Sequence, residues 1–285
     1  MTLEAPGTVE APGTVEALAQ GLVGRRLWLY SNYHCNLECA YCLTESGPKV
    51  ARRELDPATM LEVAHEARDL GFTGIGVTGG EPFLVPDLPQ LLVELSRVLP
   101  VLVLTNGTLF QRALLERMRP LGDADVTLQI SLDRPEPEAN DAMRGPDNFR
   151  RVVEAVPALL AQGIRVRIAT TLEEEDADEL ARLCELHRGL GVSDDDHVVR
   201  PVLQRGRAET GGLGVVARYL DLEPELTVTA DGAFWSPFAP TVTRGRLDTD
   251  LLLTRTVRPL RRPLDAMLAV AGARPQGADS TLNIR

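Results

Sequence analysis

The sequence predicts an α/β chain: a partial (β/α)6 barrel of TIM type with a small C-terminal α+β extension. Three observations carry that prediction. Between residues 27 and 203, six strand-like segments alternate with five helix-like ones, which implies a parallel sheet with right-handed crossovers. Within 125–133, Val126, Leu128, Ile130 and Leu132 alternate with Thr127, Gln129, Ser131 and Asp133. A central strand covered by helices on both sides is apolar on both faces; this alternation suits helices outside and a polar cavity inside. Finally, polar residues collect at the predicted carboxyl ends of the strands: Ser31–Asn32, Thr78–Glu81, Thr105–Gly107, Ser131–Asp133 and Thr170–Thr171. Functional groups gather at that end in barrels and in open α/β sheets alike.

Residues 1–24 read as a flexible tail. The unit APGTVE occurs twice over residues 5–16, too short and too rich in Pro and Gly for a solenoid. The core spans 25–211. Its first strand, LWLYSN (27–32), runs straight into a cysteine-rich loop. A helix is expected over 57–70, where Asp56 suits the N-cap, Pro57 the first helical position and Gly71 the end. Strands at 74–79, 101–106, 125–133, 165–172 and 197–203 alternate with helices at 87–98, 109–119, 147–162 and 177–190. Past residue 206 the pattern changes. GRAETGGLG reads as a linker, and 212–285 as a small accessory unit. That unit opens with a β-hairpin over 226–238, with Asp231–Gly232 as its two-residue turn. Helical character follows near 246–271, interrupted by Pro259 and Pro263, and the tail beyond 272 reads as loose.

The 285 residues are 44% apolar, enough for a substantial core. A net charge of −11 argues against a nucleic-acid partner, which calls for a basic surface. No apolar run reaches membrane-spanning length, and the N-terminus lacks the basic start and apolar core of a signal peptide. No membrane partner is therefore expected. Four cysteines, three of them clustered, fit a reduced, cytoplasmic setting.

Those three, Cys35, Cys39 and Cys42, have the spacing C-x3-C-x2-C within YHCNLECAYCL. Three thiolates on one loop suit three irons of a cubane [4Fe–4S] cluster, leaving the fourth iron open for chemistry. Zinc with His34 as fourth ligand is the rival. Zinc sites more often pair two cysteine arms far apart; no second arm occurs, and His34 directly precedes Cys35. VTGGEP (77–82) ends the second strand. Its paired glycines allow close approach to the backbone, and Glu81 could anchor an ammonium group.

Together these motifs resemble the radical S-adenosylmethionine (radical SAM) enzymes over residues 27–206. The cysteine loop with Tyr41 as its aromatic, the GGE of VTGGEP, LTNGTL (104–109) and ISLD (130–133) carry the resemblance. It implies that Cys35, Cys39 and Cys42 ligate a [4Fe–4S] cluster, whose open iron binds S-adenosyl-L-methionine. Reductive cleavage then gives a 5′-deoxyadenosyl radical that abstracts hydrogen from substrate. By the same resemblance Tyr41 approaches the adenine, and Gly79, Gly80 and Glu81 meet the methionyl ammonium. Ser131 and Asp133 bind ribose hydroxyls or the methionine carboxylate, Thr105 and Asn106 line the cavity, and Arg144 contacts the cofactor. The implied partners are a small-molecule or peptide substrate and a reductant such as flavodoxin or ferredoxin.

More finely, SLDRPEPEANDAMRGPDNF, RPVLQRGRA and ELTVTADGAFWSPF are similar to the SPASM/twitch branch. That branch's auxiliary clusters need further cysteines, yet none follows Cys184, and Trp235, Ser236 and Pro237 stand where one is expected. The extension then reads as a metal-free scaffold, or as a substrate lid with contacts from Phe234, Trp235 and Phe238. An Fe–S electron-transfer or sensor protein without SAM chemistry is the alternative from another class. Cys184 and His187 share a helical face and read as packing residues, whereas His34 is placed to tune a cluster. Arg165 and Arg167 either face the barrel, where they would clamp a carboxylate or phosphate, or form a surface-exposed pair at the strand entrance. The acidic run 173–179 reads as a solvated helix start.

Overall fold

The structure, a computed structural model, describes residues 14–173, 176–218 and 221–272. Six strands form its centre: β1 (Arg26–Tyr30), β2 (Gly74–Thr78), β3 (Val101–Thr105), β4 (Val126–Ser131), β5 (Arg165–Leu172) and β6 (His197–Pro201). They pair in parallel and in sequential order. An order without reversal has no switch point, so right-handed crossovers place every helix on one face. This is the singly wound geometry of the expected partial barrel.

The alternation within the strands sorts their side chains accordingly. Leu27, Leu29, Ile75, Val77, Val103, Val126, Leu128, Ile130, Val166 and Ile168 are buried in the core shared with the helices. Those helices are α2 (Pro57–Leu70), α3 (Leu88–Ser96), α4 (Arg112–Met118), α5 (Pro137–Arg144), α6 (Asn148–Leu160) and α7 (Ala177–Gly189). In α2, Asp56 caps the start by accepting from the Thr59 amide at 2.9 Å. Gly71, at φ 96°, ends it, a conformation that costs a β-carbon-bearing residue about 1 kcal/mol or more. Met60, Val63, Ala64 and Ala67 form the buried stripe between. The sequence marks α5 only weakly, because the residues it buries, Asn140 and Arg144, are polar.

On the inward face, Trp28, Gly76, Leu102, Thr127 and Arg165 fall in register across β1–β5. A β-carbon on Gly76 would lie 2.2 Å from the Trp28 ring, so the indole crosses the barrel only because residue 76 is glycine. Its Nε1 donates to Glu225 Oε2 at 2.9 Å. Burial pushes Glu225 up to about 7 despite that hydrogen bond. A raised carboxyl favours folding while both states are protonated, below about pH 4.5, and loses that contribution as pH climbs through about 7. Glu225→Gln keeps an acceptor for Trp28 and removes the titration. It should therefore match the wild type near pH 4.5 and be about 1–3 kcal/mol more stable at pH 8, read from urea unfolding at both pH values. An equal difference at the two would refute the assignment.

Beyond β6, a short α8 (Arg207–Gly211) leads into the extension. There β7 (Thr227–Thr229) pairs in parallel with β1, β8 (Gly232–Phe234) returns antiparallel to β7, and β11 (Leu252–Thr254) pairs with β8. The extension thus prolongs the barrel sheet at its β1 edge. A small hairpin, β9 (Val242–Thr243) with β10 (Arg246–Leu247), stands apart from it.

Several boundaries differ from the sequence expectation. Thr229 pairs with Gly232, so the hairpin turn is Ala230–Asp231 rather than Asp231–Gly232. Its bend is held by the Asp231 amide donating to Thr229 Oγ1 at 3.0 Å. Residues 246–254 carry β10 and β11, and helix begins only at α9 (Arg261–Gly272). Pro263 interrupts nothing there, since a first helical turn needs no amide at that point. At the other end, residues 1–13 and 273–285, with most of the expected tails, lie outside the described residues. The rest of the expected N-terminal tail is anchored. α1 (Thr14–Ala19) packs on α9, and Ala17, Leu18 and Val23 are at most 1% exposed. Among the described residues no helix is long and apolar enough to cross a membrane.

Candidate functional site

The loop after β1 folds across the carboxyl ends of the strands. Cys35, Cys39 and Cys42 all line one cavity there, about 180 Å³ in volume, together with Tyr41, Gly79, Gly80, Thr105, Asn106, Ser131 and Arg144. Of the residues expected to hold the cluster or S-adenosyl-L-methionine, Glu81 and Asp133 alone do not line it, and each is fully buried.

The two glycines explain how the loop reaches its seat. A β-carbon on Gly80 would lie 2.1 Å from the His34 carbonyl oxygen, and one on Gly79, at φ 153°, 2.7 Å from that of Asn32. At this close approach the Gly80 amide donates to Asn32 O at 2.8 Å and the Glu81 amide to His34 O at 2.9 Å. The turn after β2 is therefore zipped to Asn32 and His34, just before Cys35.

Glu81 joins the next turn to this one. Its carboxylate accepts from Thr105 Oγ1 at 2.8 Å, from the Asn106 amide at 2.8 Å and from the Phe83 amide at 3.1 Å. Burial raises it to about 7 against those hydrogen bonds. The resemblance placed Glu81 against an ammonium group; here its oxygens are committed to donors of the protein itself. Asn106 completes the link by turning Nδ2 toward Cys35 Sγ at 3.7 Å.

Asp133 has a similar part. Oδ2 accepts from Arg144 Nη1 at 3.0 Å and from the Tyr41 hydroxyl, and Oδ1 from the Thr171 amide at 2.9 Å. Arg144 also donates to the Tyr41 hydroxyl. With side chains 6% and 1% exposed, the Arg144–Asp133 pair is a buried ion pair that fixes the aromatic of the cysteine loop. Asp133 thus anchors Tyr41 from behind the wall, while Arg144 both anchors and reaches the cavity.

Three features escaped sequence reasoning. Arg207 straps the loop: its amide donates to Cys42 O at 2.9 Å, Nη1 to Cys39 O at 2.6 Å and Nη2 to Ser46 O at 2.9 Å. Glu45 binds the β9–β10 turn, accepting from the Arg244 and Gly245 amides at 2.8 and 2.9 Å. Arg200, held by Thr171 Oγ1 at 3.3 Å, lines the cavity, and burial lowers its affinity for its proton. Each is a lone charged residue whose partner lies far away in sequence, which leaves no local signal.

Other expectations resolve by position. Phe238 and Pro237 reach the cavity. Phe234 and Trp235 do not; they are buried, and Trp235 Nε1 donates to Leu222 O at 3.2 Å. His34 turns Nδ1 to Val50 O at 3.1 Å. Among the described residues no three His, Cys, Asp or Glu side chains are gathered tightly enough for a single metal ion. Cys184 and His187 lie outside the barrel beside His197, at 3.7 Å from its Nδ1 and 4.4 Å between ring centres. Arg165 and Arg167 point inward, but at the amino end of the barrel.

Burial pushes the Cys35 thiol up to about 12, with the Glu81 charge adding, and Cys39 up to about 11. The fold alone thus keeps both as thiols. Metal binding there must release protons.

Residues 29–187 match the radical SAM superfamily. The chain belongs to the radical SAM superfamily. The matched stretch runs from β1 to α7 and holds every residue of the cavity wall contributed by the first five strands. Among curated radical SAM relatives, the antilisterial bacteriocin subtilosin biosynthesis protein AlbA of Bacillus subtilis is 31% identical over 162 residues, 56% of this chain and 36% of that protein. The GTP 3′,8-cyclase of Chlorobaculum tepidum is 33% identical over 161 residues, 54% of this chain and 47% of that protein. The chain therefore matches under half the length of either. Among solved structures, native anSMEcpe with bound AdoMet and Cp18Cys peptide aligns at a TM-score of 0.61 and 14% identity, covering 88% of this chain and 84% of that one. That likeness extends the shared fold past the barrel into the extension.

Proposed function

We propose that this chain is a radical SAM enzyme that holds a [4Fe–4S] cluster on Cys35, Cys39 and Cys42 and S-adenosyl-L-methionine beside it. The observation that carries the reading is the meeting of three thiols and a β-carbon-free turn in one cavity, within a chain of this superfamily. The donor set fits: three soft sulfur ligands suit an Fe–S cluster, and the residues around them leave room for a ligand. When bound, the cluster and S-adenosyl-L-methionine supply a 5′-deoxyadenosyl radical able to take hydrogen from a substrate. The protein's own part is positional. Gly79 and Gly80 offer backbone at close range, Ser131 and Arg144 offer a hydroxyl and a guanidinium, and Tyr41 is held at the wall by Asp133. Arg200, Pro237 and Phe238 form the far wall, where a substrate would lie.

The substrate is a peptide or a small molecule. Relatives named for bacteriocin biosynthesis and for GTP cyclisation support both, and a neighbour of the same fold holding a peptide supports the first. Arg200 favours a substrate with a carboxylate or other anionic group near the reacting carbon. The extension is a SPASM/twitch-like scaffold without metal ligands, consistent with no cysteine after Cys184. Flavodoxin or ferredoxin would supply the electron.

Anaerobic reconstitution followed by dithionite and S-adenosyl-L-methionine tests the reading. Wild-type protein should release 5′-deoxyadenosine, while Cys39→Ala should lose most of its iron and that product. A full iron complement in the variant would end the ligand assignment. Cluster-loaded wild type without product would favour an electron carrier.

A further inference from the structure

The segment after β6 closes on the cysteine loop. Gly206, at φ 59°, makes the approach possible: a β-carbon there would lie 2.1 Å from Leu43 O and 2.7 Å from Cys42 O. Arg207 follows directly. Its amide donates to Cys42 O at 2.9 Å, Nη1 to Cys39 O at 2.6 Å and Nη2 to Ser46 O at 2.9 Å. All three acceptors are neutral carbonyls, which take its hydrogen bonds and leave its charge. Among the described residues no carboxylate lies within ion-pair distance of Arg207. Glu209, on the same helix, and Glu38 are exposed, and Glu45 is committed to the Arg244 and Gly245 amides. Arg144 is the other cation bearing on Cys39, but Asp133 pairs with it at 3.0 Å and acts on that thiol in the opposite sense. Neutral donors serve Cys35: the Leu37 amide at 3.4 Å and Asn106 Nδ2 at 3.7 Å from its sulfur. Among the described residues no hydrogen bond is donated to Cys39 Sγ, which itself donates to Arg144 O at 3.5 Å.

We propose that Arg207 is a positioning residue that also sets the reduction potential of the cluster, its guanidinium favouring the reduced state from beside Cys39 and Cys42. This rests on the reading that the three thiols hold a [4Fe–4S] cluster. In the step concerned one electron enters from the reductant, no bond forms or breaks, and no proton moves. The added negative charge is stabilised from outside, and nearby charge is one of the levers a protein has on such a potential. Arg207 is preorganised for it. Its amide and two of its guanidinium nitrogens are held by the loop that carries the sulfurs, and it is half-buried, so salt screens it less than a surface charge. At this range, and at the effective dielectric of a protein, one unit charge shifts a one-electron equilibrium about tenfold.

The test uses the full-length protein after anaerobic reconstitution, with the midpoint potential read by a redox titration followed by electron paramagnetic resonance. Arg207→Gln keeps a hydrogen-bonding side chain and loses the charge. Its ratio of reduced to oxidised cluster at a fixed solution potential should fall about tenfold, which is a midpoint about 59 mV lower for one electron. Arg207→Lys keeps the charge and gives up the fork. Its ratio should stay within about threefold of the wild type, while the loosened loop yields iron to a chelator faster. An unmoved midpoint in Arg207→Gln, or an equal drop in both variants, would overturn the proposal. Should Arg207→Gln not keep its iron, Arg207→Lys decides alone: a tenfold drop there refutes a role for the charge, and a held midpoint supports it. A wild type without a reducible four-iron cluster would sink the ligand assignment and this proposal with it; a normal wild-type titration beside an unmoved Arg207→Gln sinks the proposal alone.

Discussion

Gly80→Ala should unseat the cysteine loop and leave the barrel otherwise folded. The added methyl would lie 2.1 Å from the His34 carbonyl oxygen, which is backbone and has no rotamer to yield. The loop must retreat, and with it go the hydrogen bonds from the Gly80 and Glu81 amides to Asn32 and His34. Overpacking of this kind costs about 1–3 kcal/mol. Losing two buried backbone bonds adds about 1 kcal/mol each, so a total of about 3–5 kcal/mol is expected by chemical unfolding. Because the displaced stretch ends at Cys35, iron retained after anaerobic reconstitution should fall by more than half. Wild-type stability together with wild-type iron would show that the turn and the loop are not coupled.

Asp133→Asn should have the second large effect. It strips the charge that Arg144 faces from inside the protein while leaving the Arg144 guanidinium almost as buried. Breaking a buried pair from one side costs about 3–5 kcal/mol, whereas replacing both members with apolar residues can be nearly neutral. Asp133→Leu/Arg144→Met should accordingly recover much of the stability lost by the single change, and a double-mutant cycle would read a large coupling. The recovered protein should still assemble iron, because the three sulfurs remain, but bind S-adenosyl-L-methionine less well, because Tyr41 has lost its tether and the cavity its Arg144 guanidinium. A single variant within 0.5 kcal/mol of the wild type would remove Asp133 from this role.

How much of this was legible in sequence depends on where the information lies. The strand alternation at 126–132 records the two faces of β4 directly, and the capped, glycine-ended α2 was bounded correctly, since caps are local chemistry. The cysteine spacing identified the loop, and the glycine pair identified the turn beside it. Within 246–254 a short apolar run such as LLL fits either period; its pairing with β8 is decided by an edge far away in sequence. The anchoring contacts of Glu81 and Asp133 leave no mark in the sequence for a related reason. A buried carboxylate and a ligand-binding one look alike in sequence, and only the donors around them, at Thr105, Asn106, Thr171 and Arg144, tell them apart.

The grip of Arg207 on Cys39, Cys42 and Ser46 has a consequence for timing. Arg207 follows six residues after Pro201, where β6 leaves the wall that carries Arg200. A molecule that pushed on this wall would drag two sulfur-bearing residues through one guanidinium and one amide. Arrival of a guest would then be felt at the metal end within the same rigid movement, so that an unoccupied barrel and an occupied one need not present the electron donor with the same acceptor.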